Sequence, residues 1–137
     1  EWEKAARGGC ETLDGDCQTG MRIFPWGNTA PGYGCTLANW GYCDHPQPGP
    51  TATVGSIPGG ASPYGARDMM GNVIEWIAPT WYSYPGYSPA FADASTRMMR
   101  GGGYNTTAQG GRTSGRNGGL PQTRLDYLGI RCCRSLP

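Results

Sequence analysis

An irregular, loop-rich α+β domain is what the amino-acid sequence predicts, and three observations carry that prediction. Of 137 residues, 24 are Gly and 12 are Pro, which breaks the chain into short pieces. Five Trp, eight Tyr and two Phe supply enough apolar bulk to argue against disorder. One short helical pattern and three short strand patterns make up the clear periodicity. The length is that of a single domain, residues 1–137, and a domain of about 150 residues buries roughly 70% of its unfolded surface, enough for one core.

The helix comes first. In Glu1-Trp2-Glu3-Lys4-Ala5-Ala6-Arg7, Trp2, Ala5 and Ala6 share one face, and Gly8-Gly9 supplies a C-terminal stop. No Ser, Thr, Asp or Asn caps its start, so further chain is expected upstream of Glu1. Residues 8–65 are expected to be mostly turns with room only for short strands, because Asp14-Gly15, Pro31-Gly32, Pro46-Gln47-Pro48-Gly49-Pro50 and Pro58-Gly59-Gly60 interrupt every candidate element. The first strand is Val73–Ile77, with Val73, Glu75 and Ile77 on one face, Ile74 and Trp76 on the other, and Pro79 as its end. Residues 79–95 set Trp81, Tyr82, Tyr84 and Tyr87 among Pro and Ser, the pattern of a long aromatic surface loop. A second strand, Arg97–Arg100, runs into Gly101-Gly102-Gly103-Tyr104, and after another Gly-rich loop Leu128–Cys133 forms the last. No internal repeat of 20–50 residues is present.

The net charge of +1 points neither to nucleic acid nor to an anionic membrane surface, but the charges are unevenly spread. Residues 1–96 hold four Lys/Arg against nine Asp/Glu, whereas residues 97–137 hold seven Arg against Asp126 alone. Two readings are open: the two parts pair within one fold, or the basic part meets an anionic ligand or another copy. Six cysteines, Cys10, Cys17, Cys35, Cys43, Cys132 and Cys133, in a small turn-rich chain favour a disulfide framework and an oxidising, extracytoplasmic setting, secreted or at the cell surface. Local closure of Cys10 with Cys17 and of Cys35 with Cys43 is expected, while Cys132 and Cys133 should find separate partners because adjacent cysteines bridge only under strain. No apolar run reaches the roughly 18–20 residues of a membrane helix.

Few residue constellations could carry chemistry. A hydrolase triad needs a histidine base, and the single histidine, His45, sits beside Asp44 in a Pro-rich turn. Zinc lacks a C-x-x-C pair. The Gly101–Gly103 run lacks the P-loop pattern and is read as a site of close backbone packing. Asn105-Thr106-Thr107 is a glycosylation sequon on an expected surface loop, with Asn105 as the acceptor. In Met69-Met70-Gly71-Asn72-Val73-Ile74-Glu75-Trp76, an Asn carbonyl, neighbouring backbone carbonyls and a carboxylate three residues on offer hard oxygens of the kind calcium prefers. The same residues also suit an Asn satisfying turn backbone beside an exposed Glu.

The order of motifs then resembles one family. Glu1–Gly9 is followed by Phe24-Pro25-Trp26-Gly27-Asn28, Ala38-Asn39, Val54-Gly55-Ser56, Ser62–Trp76, Arg100–Tyr104, Arg112, Arg116 and Gly129-Ile130-Arg131-Cys132, together spanning nearly the whole chain. This is similar to the formylglycine-generating enzyme, or sulfatase-modifying factor, family. The resemblance implies an irregular α+β fold related to C-type lectins, with calcium as the expected cofactor. It places one calcium motif at Asn72 and Glu75 with the main chain of Gly71 and Val73, and the start of another at Asn39, with Asp44 as its acidic partner.

In the enzyme, a cysteine pair that binds copper follows the Gly-rich motif, but here that stretch is Asn105–Gly111 and holds no cysteine. Thiolates serve as soft copper ligands and redox groups, which Asn and Thr cannot replace. Ergothioneine-synthase relatives take iron from a separate histidine-bearing domain, and one histidine cannot supply it. Neither copper nor iron is therefore expected, nor an enzyme, but a non-catalytic extracellular structural or binding module within a larger assembly. A copper-dependent formylglycine-generating oxidase is one rival. A calcium-dependent carbohydrate-binding module using the Trp81–Tyr87 loop is the other.

In other relatives, the variable proteins of diversity-generating elements, a ligand surface lies in the segment matching residues 100–131. That nominates Tyr104, Asn105, Thr106, Gln109, Arg112 and Arg116 as ligand-surface residues for a glycan or protein. Arg112, Arg116 and Arg131 can equally be internal structural arginines. The family domain normally carries a large segment before the helix, which here is expected to be replaced by copies of the chain or another subunit covering the sheet edge and helix face. Neither nucleic acid nor membrane insertion is expected.

Overall fold

Trp2–Arg7 forms helix α1, which ends where Gly8 turns to φ 85°, a left-handed conformation that a side chain would strain. The computed structural model describes residues 1–12, 21–43, 51–80 and 95–133. After α1 come two 3-10 turns, Cys10–Thr12 and Pro58–Gly60, and then four strands: β1 (Ile74–Thr80), β2 (Arg97–Arg100), β3 (Asn117–Gly119) and β4 (Leu128–Ile130). They make one mixed sheet in the order β3-β2-β1-β4. β2 is antiparallel to both its neighbours, and β4 is parallel to β1. The fold is thus the expected α+β architecture with one sheet, little helix and long irregular connections.

The strands depart from the sequence reading at several points. Pro79 does not end β1: the register runs from Trp76↔Met99 to Thr80↔Arg97 across an irregularity. A residue without an N–H is tolerated where the ladder is already broken. β3 was not expected, because Asn117-Gly118-Gly119 has no side-chain alternation and pairs with β2 through its backbone alone. β4 stops at Ile130 rather than Cys133.

The loops pack as much as the sheet does. Phe24, Ala38, Trp40 and Met70 form a buried cluster drawn almost entirely from irregular chain, with Trp26, Cys43 and Ala108 against it. Met69, Ile74, Met98 and Met99 are buried around the sheet, so β2 is covered on both faces. Each such side chain is worth about 1.5–3 kcal/mol when taken from water. That is how a chain with four short strands holds a core.

A disulfide joins Cys35 to Cys43, as expected. Cys10 is also disulfide-bonded; Cys17, its expected partner, lies outside the described residues. Cys132 and Cys133 are exposed free thiols, which corrects the expectation that each is bridged, since β4 ends before them and leaves both in open chain. No helix among the described residues is long and apolar enough to cross a membrane.

Candidate functional site

Two internal ion pairs hold the frame. Glu75, 3% exposed in β1, accepts hydrogen bonds from the Trp2 indole (2.8 Å) and from Arg131 Nε and Nη2 (3.0 and 2.6 Å). Arg131 also donates to the carbonyls of Arg67 and Asp68. Arg100, at the end of β2, is buried; it donates to Glu3 and to the carbonyls of Thr113 and Gly115, and its guanidinium lies 5.2 Å from the Trp2 ring centroid. The acidic early part and the basic late part therefore pair within the fold, and Arg131, although exposed, has a structural role. Planar guanidinium forks suit both tasks.

Asn72 is the second hub. With φ 62° it sits in the left-handed region that Asn tolerates. Its Oδ1 accepts from Ala52 N (2.7 Å) and Asn39 Nδ2 (3.5 Å), its Nδ2 donates to the Ala52 carbonyl, and its own N–H donates to the Asn39 carbonyl. Asn39 pairs with Gly71 in an isolated bridge, so Asn39, Gly71 and Asn72 do come together. Glu75 does not join them: both its oxygens already accept from Arg131 and Trp2. The residues nominated for calcium do not fit that ion in this arrangement, because the Asn72 amide and the Glu75 carboxylate are committed to protein donors. Asp44 lies outside the described residues, as do His45 and the aromatic residues 81–87.

From that frame a surface face is projected. Tyr104 N–H donates to the Asn72 carbonyl (2.8 Å), and Ile74 N–H in β1 donates to the Tyr127 carbonyl (2.7 Å), so Tyr127 hangs from β1 and Tyr104 from the turn just before it. The Tyr104 hydroxyl donates to Asp126 Oδ2 (2.9 Å), and its ring meets Tyr127 edge-on with centroids 6.1 Å apart. The hydrogen bond to Asp126, then desolvation and the nearby negative charge, push the Tyr104 phenol above its ordinary value of 10.0. Asn105 and Gln109 are exposed and Thr106 half-buried, its carbonyl accepting from Gly41 N–H (2.9 Å). Arg112 is exposed and borders a groove away from these tyrosines in sequence, while Arg116 is half-buried.

Sequence reasoning missed Asp126 and Tyr127 as members of this face. The available signal was that Asp126 is the single acid among residues 97–137. Two perpendicular aromatic rings and a carboxylate thus lie together on this face.

The chain is similar to known proteins. A family model described as "Sulfatase-modifying factor enzyme 1-like domain" matches residues 1–136. The hercynine oxygenase of Mycolicibacterium smegmatis is 35% identical over 96% of this chain and 31% of that protein. The inactive C-alpha-formylglycine-generating enzyme 2 of Mus musculus is 36% identical over 98% of this chain and 41% of that protein. The solved structure of Treponema denticola variable protein 1 superposes with a TM-score of 0.65 at 26% identity, covering 95% of this chain and 43% of that one.

The chain thus spans well under half the length of the curated relatives it matches. The hercynine oxygenase match overturns the expectation that the chain is not an enzyme. A lone histidine within a segment that covers 31% of such an oxygenase is no argument against that activity. A match that runs over residues 1–136 settles the family, and the chain belongs to the sulfatase-modifying factor enzyme 1-like family.

Proposed function

We propose that this chain carries the substrate-recognition face of an extracytoplasmic oxidative enzyme of its family, and that Tyr104, Tyr127 and Asp126 receive the cationic head of a small substrate such as a trimethylammonium compound. The observation that carries the reading is the Tyr104–Asp126 hydrogen bond with the Tyr127 ring set edge-on beside it. A carboxylate and aromatic faces attract a quaternary ammonium by charge and by the ring quadrupole, worth about 0.5–2 kcal/mol per ring. Hercynine, the trimethylated betaine of histidine named by one group of relatives, presents such a head. The Asn105–Gly111 segment holds no cysteine, so the paired-thiolate route to formylglycine has no redox group there. Among the described residues no three His, Cys, Asp or Glu side chains converge, so metal ligands for an oxidative step would come from outside them. The Cys35–Cys43 disulfide supports an oxidising compartment.

Calorimetric titration with hercynine and with tetramethylammonium tests the reading. Both should bind, and Tyr104→Ala and Asp126→Asn should each weaken binding about three- to tenfold. Binding indifferent to both substitutions, or no heat with either probe, would refute it.

A further inference from the structure

A second face carries charge that the ion pairs leave unspent. Arg7, Arg22 and Arg112 line an open groove of about 470 Å³ together with Glu3, Met21, Ile23, Thr113 and Ser114. Its floor is stiff: Thr113 N–H donates to the Ile23 carbonyl (2.8 Å), and the Thr113 hydroxyl donates to the Arg22 carbonyl (2.9 Å). The Arg22 guanidinium is held by the Arg7 carbonyl and by the hydroxyl and carbonyl of Thr12. Among the described residues only one carboxylate borders the groove, and Glu3 is already engaged by buried Arg100 and by Arg7 at 3.6 Å. Arg7 Nε faces Glu3, so the uncommitted donor is Arg112, an exposed guanidinium that makes no hydrogen bond or ion pair to the described residues.

We propose that this groove binds a carboxylate whose carbon tail lies against Met21 and Ile23. A planar carboxylate matches the guanidinium fork, and such charge-assisted bonds are about twice as strong as neutral ones. Apolar lining beside the arginines favours an organic acid over inorganic phosphate. The inference is independent of the tyrosine face, since it shares no residue with it. The carboxylate can come from a small free acid or from a peptide C-terminus, and the test separates the two.

Amide chemical shifts of the 137-residue chain would be followed on titration with hexanoate, with the peptide acetyl-Ala-Ala-Leu, with its C-terminal amide, and with inorganic phosphate. Shifts confined to residues around Arg7, Arg22 and Thr113 are expected with hexanoate or with the free-acid peptide, the tighter of the two naming the source. The amide and phosphate should bind at least tenfold more weakly. Arg112→Ala should weaken the carboxylate about tenfold and Arg112→Lys less, with the remaining spectrum unchanged in both. Equal binding of the amide or of phosphate, affinity unchanged in Arg112→Ala, or shifts elsewhere alone would each overturn the proposal.

Discussion

At the scale of single residues, Glu75 has the most dependants. Its carboxylate is buried while Arg131 is one-third exposed, so removing the acid leaves a cation that water can partly reach. Glu75→Ala should cost about 3 kcal/mol, the low end for breaking a buried pair, and chemical denaturation would show it as a lower midpoint with unchanged slope. A second residue-scale cluster lies on the surface, where Glu11 accepts from the Tyr64 hydroxyl and meets Lys4 at 3.1 Å. The Tyr64 hydrogen bond, then the backbone and Lys4, hold the Glu11 carboxyl down to about 2, and the same acid raises the Lys4 ammonium. A lowered carboxyl favours the folded state above its ordinary value of 4.5 and loses that contribution as pH falls through about 2. A carboxyl-carbon NMR titration should find Glu11 the most acid-resistant glutamate at the surface, and Tyr64→Phe should move its midpoint upward.

Elements show which parts of this fold sequence alone reveals. β2 was legible at both ends, because Arg97–Arg100 is a compact run stopped by glycines. β3 was not, since Asn117-Gly118-Gly119 owes its place to hydrogen bonds with β2 rather than to any pattern of its own. The site was half legible: Tyr104 was nominated, but Asp126 and Tyr127 reach it only because parallel pairing of β4 with β1 brings a distant segment back. Asn72 and Glu75 were read as partners from their three-residue spacing, yet they serve separate hubs. Spacing cannot show that an arginine 56 residues away claims the carboxylate. The bridge between Asn39 and Gly71 gives an element-scale prediction. Gly71 has φ 76°, and a Cβ there would lie 2.1 Å from the Asn39 carbonyl oxygen. Gly71→Ala should cost at least about 2 kcal/mol, whereas Gly32→Ala, where nothing lies within 4 Å, should stay within about 0.5 kcal/mol. Paired thermal melts would read the difference, and equal melts would refute the bridge as a close approach.

For the whole molecule, stability comes from cross-links between irregular segments. The Cys35–Cys43 bridge spans eight residues beside the Trp40 cluster, and closing so short a loop is worth about 2.5 kcal/mol in the chain-entropy account. Cys35→Ser should lower the unfolding free energy by that order, measured in urea at one pH. Alkylation of the native protein without reductant should label Cys132 and Cys133 and spare Cys10, Cys35 and Cys43. Mass spectrometry of the peptides would reveal a different pattern.

The carboxylate of Glu75 receives a donor from the second residue of the chain and another from residue 131. Helix α1 and the segment after β4 are therefore clasped onto one side chain of β1, and loosening either one should loosen the other.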